Sequence, residues 1–190
     1  MPYRAIAFEA GNIYHLYNRG NNRQNIFFER ENYLHFLRLV RQYLTPETVE
    51  ILAYCLMPNH YHLLVQFQAG SLSEPMKALS LAYTKGMNAR YHRVGSLFQG
   101  RFCSILVDRE TYLVHLARYI HLNPVKAGLV RHPKEWEFSS YQEYAGLRQG
   151  TLPKLERVQM LAGATGAYQM FLEDQSLPQE PSVRSLMLDE

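Results

Sequence analysis

The stretch VEILAYCLMPNHYHLLVQ, residues 49–66, decides the fold. Residues 49–56 and 60–66 are rich in strand formers, and Met57-Pro58-Asn59 between them is a turn cluster. Two such runs joined by so short a connection pair as an antiparallel hairpin. In the second run His60 and His62 share one face and Tyr61 takes the other, because strand side chains alternate.

Upstream, residues 11–17 (GNIYHLY) read as another strand, followed by the turn cluster NRGNN at 18–22. Residues 29–43 place Tyr33, Leu34, Leu37 and Val40 at helical spacing. Thr45-Pro46 ends that helix, since a residue before proline avoids the α region. Downstream, Ser71 or Ser73 caps a helix running to about Arg93. Residues 95–107 (GSLFQGRFCSILV) form a fourth strand region, bulged at Gly100. Asp108 caps a helix over 109–122 that stops at Asn123-Pro124, with a short helical turn over 125–130.

The order β-α-β-β-α-β-α predicts an α+β fold: a ferredoxin-like antiparallel sheet with helices packed on one face. Residues 1–146 form that domain. Residues 147–190 form a C-terminal extension, helical over 158–172, irregular elsewhere, with a flexible tail around 178–181.

Composition narrows the function classes. The chain has 190 residues, enough for one domain with its own core. It has no apolar run of the roughly 18 residues that span a bilayer, so no membrane role is expected. It has no long apolar leader, and its two cysteines are too few for a disulfide framework, so a cytoplasmic location is expected. The net charge of +3 hides an asymmetry. Residues 1–148 hold 17 Lys and Arg against 11 Asp and Glu, while residues 149–190 hold 3 against 6. Arginine outnumbers lysine 15 to 5, and arginine forks match phosphate oxygens. Such a body suits nucleic acid, although a solvated surface has the same composition.

Two segments carry chemistry. His60 and His62 stand side by side and can share a divalent metal, but two partly exposed strand histidines have the same spacing. In residues 111–123 (TYLVHLARYIHLN), Leu113, Leu116 and Ile120 form the stripe that faces the core. His115, Tyr119 and Asn123 follow one another at i+4 on an adjoining face. An amide oxygen from Asn123 would add a third, hard ligand to two imidazoles, with the Tyr119 phenol beside the ion. A phenol of pKa near 10 is a poor nucleophile at neutral pH. A divalent ion can orient a phosphodiester and stabilise the charge that develops on attack. Tyr112 competes as nucleophile, but Leu116 rather than an amide follows it at i+4. His121 points about 200° from Tyr119 around the helix and is left out of the site.

The segments YCLMPNHYHLLV (54–65) and RYIHLNPVKAGLV (118–130) resemble those of REP-associated tyrosine transposases, members of the single-tyrosine HUH superfamily. So do YHLYNRG (14–20), GSLFQGRF (95–102) and WEFSSY (136–141), which extends the resemblance over about residues 1–146. The resemblance implies that His60 and His62 are the metal ligands and that Tyr119 is the nucleophile. Asn123 would complete the site where insertion-sequence relatives carry glutamine. It also implies Mg²⁺ or Mn²⁺ as cofactor and a 5′-phosphotyrosine intermediate with a free 3′-hydroxyl. The implied partners are single-stranded DNA hairpins of the repetitive extragenic palindrome type, bound by a monomer or a homodimer. Arg19, Arg23, Arg90, Arg93 and Arg101 lie in or near loops and element ends, placed to meet phosphates. A ferredoxin-like module that binds single-stranded nucleic acid without catalysis is the alternative.

Overall fold

The computed structural model describes residues 7–162 together with Tyr168, Met170 and Phe171. Strands β1 (Ile13–Arg19), β2 (Val49–Met57), β3 (His60–Phe67) and β4 (Cys103–Val107) form one sheet in the order β2-β3-β1-β4. Every pairing is antiparallel. Helix α1 (Arg30–Tyr43) connects β1 to β2, and α2 (Ser73–Tyr91) connects β3 towards β4. This is the expected ferredoxin-like arrangement. The β2–β3 turn is the two-residue Pro58-Asn59 connection. Its carbonyls are held from outside the hairpin. Ile26 and Phe27 donate their N–H groups to Pro58 O (2.8 and 3.0 Å), and Gly20 donates to Asn59 O (2.8 Å).

One feature of the expected architecture needs correction: the helices do not share one face. Helices α1 and α2 cover the side with Leu16, Tyr61, Leu63 and Val65, in a cluster with Phe36, Leu39, Leu79 and Tyr83. Helix α3 (Glu110–Lys126) covers the opposite side, where Leu113, Leu116, Ala117 and Ile120 meet Leu52, Ala53, Cys55, Met57 and Leu64. A strand with one wet face alternates apolar and polar residues, whereas one covered on both faces is a nearly continuous apolar run. VEILAYCLM is such a run, buried at every position but Glu50.

Boundaries differ too. Helix α3 continues through Asn123-Pro124 to Lys126, absorbing the expected turn over 125–130. A proline in the last turn removes one intrahelical hydrogen bond but leaves the rest of the helix intact. The stop comes from Gly128, at φ +68°. Its N–H reaches Val125 O (3.0 Å) and that of Leu129 reaches Pro124 O (2.9 Å), the paired closure of a Schellman cap. The N-cap residue of α3 is Arg109, not Asp108; α2 starts after Leu72, with Ser71 Oγ accepting from Glu74 N–H in its first turn (3.5 Å). The fourth strand is confined to Cys103–Val107; residues 95–102 lie outside it and meet the end of β1 through the Gly20–Phe98 bridge and a hydrogen bond from Gln99 N–H to Arg19 O (3.0 Å). Gly100 is therefore not a bulge within a strand; its carbonyl accepts a hydrogen bond from Asn18 Nδ2 (3.0 Å).

Helices α4 (Tyr141–Tyr144) and α5 (Glu156–Ala162) complete the fold. The described part of the extension packs on the α3 side. Lys154 N–H donates to Ile51 O (2.7 Å), and Val158 and Tyr168 are fully buried. Tyr168 Oη lies 2.7 Å from His121 Nδ1, and His121 Nε2 lies 2.8 Å from Ser140 Oγ. Arg118 Nε donates to Phe171 O (3.1 Å). The expected helix over 158–172 begins at Glu156 as α5, and Tyr168, Met170 and Phe171 are helical as well; its other positions after Ala162 lie outside the described residues. The tail at 178–181 lies outside the described residues. Among the described residues, no helix is long and apolar enough to cross a membrane.

Candidate active site

The site is assembled where the first residues of β3 meet the last turns of α3. His60 opens β3 directly after the hairpin turn, and the alternation of the strand aims His60 and His62 at α3. Tyr61 faces the other way and packs against Phe36 and Phe98. The His60 and His62 ring centroids are 4.9 Å apart with planes at 84°. His60 Nδ1 lies 2.6 Å from Asn59 Oδ1. An amide oxygen only accepts, so Nδ1 carries the proton and Nε2 keeps its lone pair. His62 Nδ1 lies 2.9 Å from Nε2 of His15 on β1.

From α3, Tyr119 sets its ring edge-on to His62, with centroids 5.7 Å apart. One turn later the Asn123 side chain lines the same pocket as His60. Its Nδ2 donates to Tyr119 O (3.1 Å), which fixes how the amide is presented. Tyr119 and Asn123 are 7% and 6% exposed, so both reach solvent only through the pocket they line. Lys126 Nζ stands 5.0 Å from the centroid of the Tyr119 ring.

The pocket has a volume of about 390 Å³ and is lined by Arg19, Arg23, Asn59, His60, Tyr119 and Asn123, among others. Arg19 is steadied by Gln99, with Nε donating to Oε1 at 2.5 Å. Arg23 is delivered by a tight loop in which Asn22 and Arg23 both take left-handed backbone angles (φ 51° and 57°). Such angles strain a residue with a Cβ and persist where the surroundings enforce them. Gly20 enforces this loop: a Cβ there would lie 1.9 Å from Gln24 O, so only glycine lets the chain close.

Electrostatics favour neutral imidazoles. Burial pushes His60 down to about 4; Asn123 opposes the shift and nearby Arg19 adds to it. Burial holds His62 well below the usual histidine range, helped by His60 and His15. Neutral imidazole is the form that ligates a metal. Among the described residues, Nε2 of His62 is buried and has no hydrogen-bond partner. A buried ring nitrogen left in that condition fits a coordinating role. Among the described residues no group of three or more His, Cys, Asp or Glu is placed to hold a metal ion, so a third protein ligand would have to be the Asn123 amide. Two imidazole nitrogens and an amide oxygen suit a small divalent cation.

The structure thus brings together His60, His62, Tyr119 and Asn123, and joins Arg19 and Arg23 to them. The other predicted arginines do not line the pocket. Arg90 pairs with Glu29, and Arg93 lies over the Phe28 ring at 5.6 Å. Arg101 is exposed. Tyr112 lies under Arg109 (5.2 Å) rather than in the pocket, and His115 faces Phe171 (5.3 Å). His121 points away, to Tyr168 and Ser140. His15 and Lys126 were not singled out from sequence. The available signal for His15 was its same-face spacing with Tyr17, and for Lys126 its seven-residue, two-turn separation from Tyr119.

Residues 10–123 match the family of IS200-like transposases. The chain is similar to a protein of Haemophilus influenzae named provisionally as a REP-associated tyrosine transposase, at 30% identity over 106 residues. That match spans 48% of this chain and 58% of the relative's length. The fold is similar to the solved structure of a REP-associated tyrosine transposase bound to a REP hairpin, with a TM-score of 0.64 and 21% identity. The likeness covers 83% of this chain and 96% of that one.

Proposed function

This chain belongs to the family of IS200-like transposases, and on that premise we propose that it cuts and rejoins single-stranded DNA through Tyr119. The observation that carries the reading is the meeting, at one pocket, of a nearly buried phenol and an amide from α3 with the His60 imidazole from β3, and of the His62 ring edge-on to that phenol.

His60, His62 and Asn123 would hold Mg²⁺ or Mn²⁺. When bound, the ion supplies Lewis-acid polarisation of the phosphate and charge stabilisation during transfer. Arg19 and Arg23 bind the flanking phosphates and set the strand's register. Tyr119 Oη attacks phosphorus, an Oη–P bond forms, and the bond from phosphorus to the 3′-oxygen breaks. The phenolic proton is lost and the 3′-oxygen takes one up, leaving a free 3′-hydroxyl and a 5′-phosphotyrosine. The diester is conserved, so attack by a 3′-hydroxyl reverses the link and rejoins strands.

The similar protein in the solved structure is bound to a REP hairpin. That likeness supports a palindromic DNA hairpin as partner here. Single-stranded substrate also suits the pocket, because a nearly buried phenol has to be approached by a strand free to bend into about 390 Å³. The four site residues lie together within one chain, which supports a centre assembled without a second copy.

The test is a denaturing gel of protein incubated with hairpin-bearing single-stranded DNA, with and without Mn²⁺. The wild type is expected to give a covalent adduct only with metal. Tyr119→Phe is expected to give none while still retarding the hairpin on a native gel. An adduct from the Phe variant would assign the nucleophile elsewhere. Metal-independent binding with no adduct from the wild type would establish a binding module instead.

A further inference from the structure

Resting on the reading of His60 and His62 as metal ligands, we infer that His15 is a positioning residue that sets the tautomer of His62. His15 stands on β1 and His62 on β3, on the sheet face covered by α3. Both are fully buried. His15 Nε2 and His62 Nδ1 are 2.9 Å apart. The rings are nearly parallel, at 21° with centroids 5.1 Å apart.

Two neutral imidazoles at this distance share one proton, and the pair has two arrangements. If His15 Nε2 donates, His62 Nδ1 is the acceptor and the His62 proton sits on Nε2. A protonated nitrogen does not ligate a metal, so this arrangement closes His62 to the ion. If His62 Nδ1 donates, Nε2 keeps its lone pair and the ring is pinned in orientation. His15 Nε2 is the acceptor that this second arrangement requires. Asn59 Oδ1 does the same for His60 from the hairpin turn. Both ligand rings are thus held by an acceptor behind Nδ1, the arrangement by which outer partners orient metal-binding histidines.

The test uses the full-length chain and two measurements. Long-range ¹H–¹⁵N spectra of the metal-free wild type at pH 7 read the tautomers directly. The proton is expected on Nδ1 of His62, with Nε2 of His15 bare. A proton on Nε2 of His62 would overturn the inference, and this measurement needs no variant to fold. The second measurement is Mn²⁺ affinity, read by the paramagnetic resonance of free Mn²⁺ in the presence of the hairpin. His15→Leu removes the acceptor and is expected to weaken binding by roughly 10- to 100-fold. His15→Gln places an amide oxygen near the former Nε2 and is expected to recover most of that loss. Wild-type Mn²⁺ affinity in the Leu variant, or no recovery in a folded Gln variant, would overturn the role of His15. Failure of the wild type itself to bind Mn²⁺ would instead overturn the metal reading.

Discussion

The two faces of the sheet are built from the same strands and differ in nearly everything else. The face under α1 and α2 is an apolar and aromatic layer in which Phe36 meets Tyr61 and Tyr83 at 4.9 and 5.0 Å. Its buried Tyr83 hydroxyl is spent on a backbone carbonyl, that of Ile26 (2.7 Å). The face under α3 buries His15, His62, His121, Asn123, Ser139 and Ser140. One residue step along β3, from Tyr61 to His62, crosses from the first environment to the second. The contrast separates two tasks. Both sides supply hydrophobic free energy of folding, while the α3 side also holds a group of polar side chains dry and oriented, where each needs a partner or a ligand.

That separation can be tested from both sides. The largest effect is expected from His60→Ala, which takes a ligand from the α3 face. Adduct formation should fall below detection while the thermal midpoint moves little, since His60 is only partly buried. An active His60→Ala variant would break the assignment of chemistry to this face. Next is Phe36→Ala on the opposite face, fully buried in the aromatic layer. Removing such a ring costs about 3–5 kcal/mol. Denaturant unfolding should register that loss while the adduct rate per folded molecule stays near wild type. A large fall in that rate would show the faces to be coupled. The smallest effect is expected from Arg23→Ala at the pocket wall. Hairpin affinity should weaken modestly, and the slope of log affinity against log salt should shrink by about one. An unchanged slope would remove Arg23 from the phosphate contacts.

The hairpin, the strand order and the main site were legible in sequence because each rests on local periodicity. Alternation put His60 and His62 together, and helical spacing put Asn123 one turn from Tyr119. The position of α3 escapes strand propensity, because the both-sides signal lies in the nearly continuous apolar run of β2, which breaks only at Glu50. The end of α3 differs from expectation because Pro124 is an obvious breaker, whereas a proline in the last turn is tolerated and the stop comes from the local cap at Gly128. His15 was missed because its role depends on inter-strand register, which sets it diagonally across from His62. Arg90 looked free to meet phosphate because its partner, Glu29, lies 61 residues away in sequence.

The far side of α3 has a consequence for the reaction's second half. His121 is fastened to Tyr168 and Ser140, and Arg118 to Phe171, so the helix carrying Tyr119 is bolted down behind the site. On the proposed reading, a DNA end joined to Tyr119 would be tethered to a fixed post. The cut strand's 5′ end would stay within reach of an incoming 3′-hydroxyl, at an effective molarity that free ends in solution do not attain. Holding the post still would turn a break into a pause between two joined states.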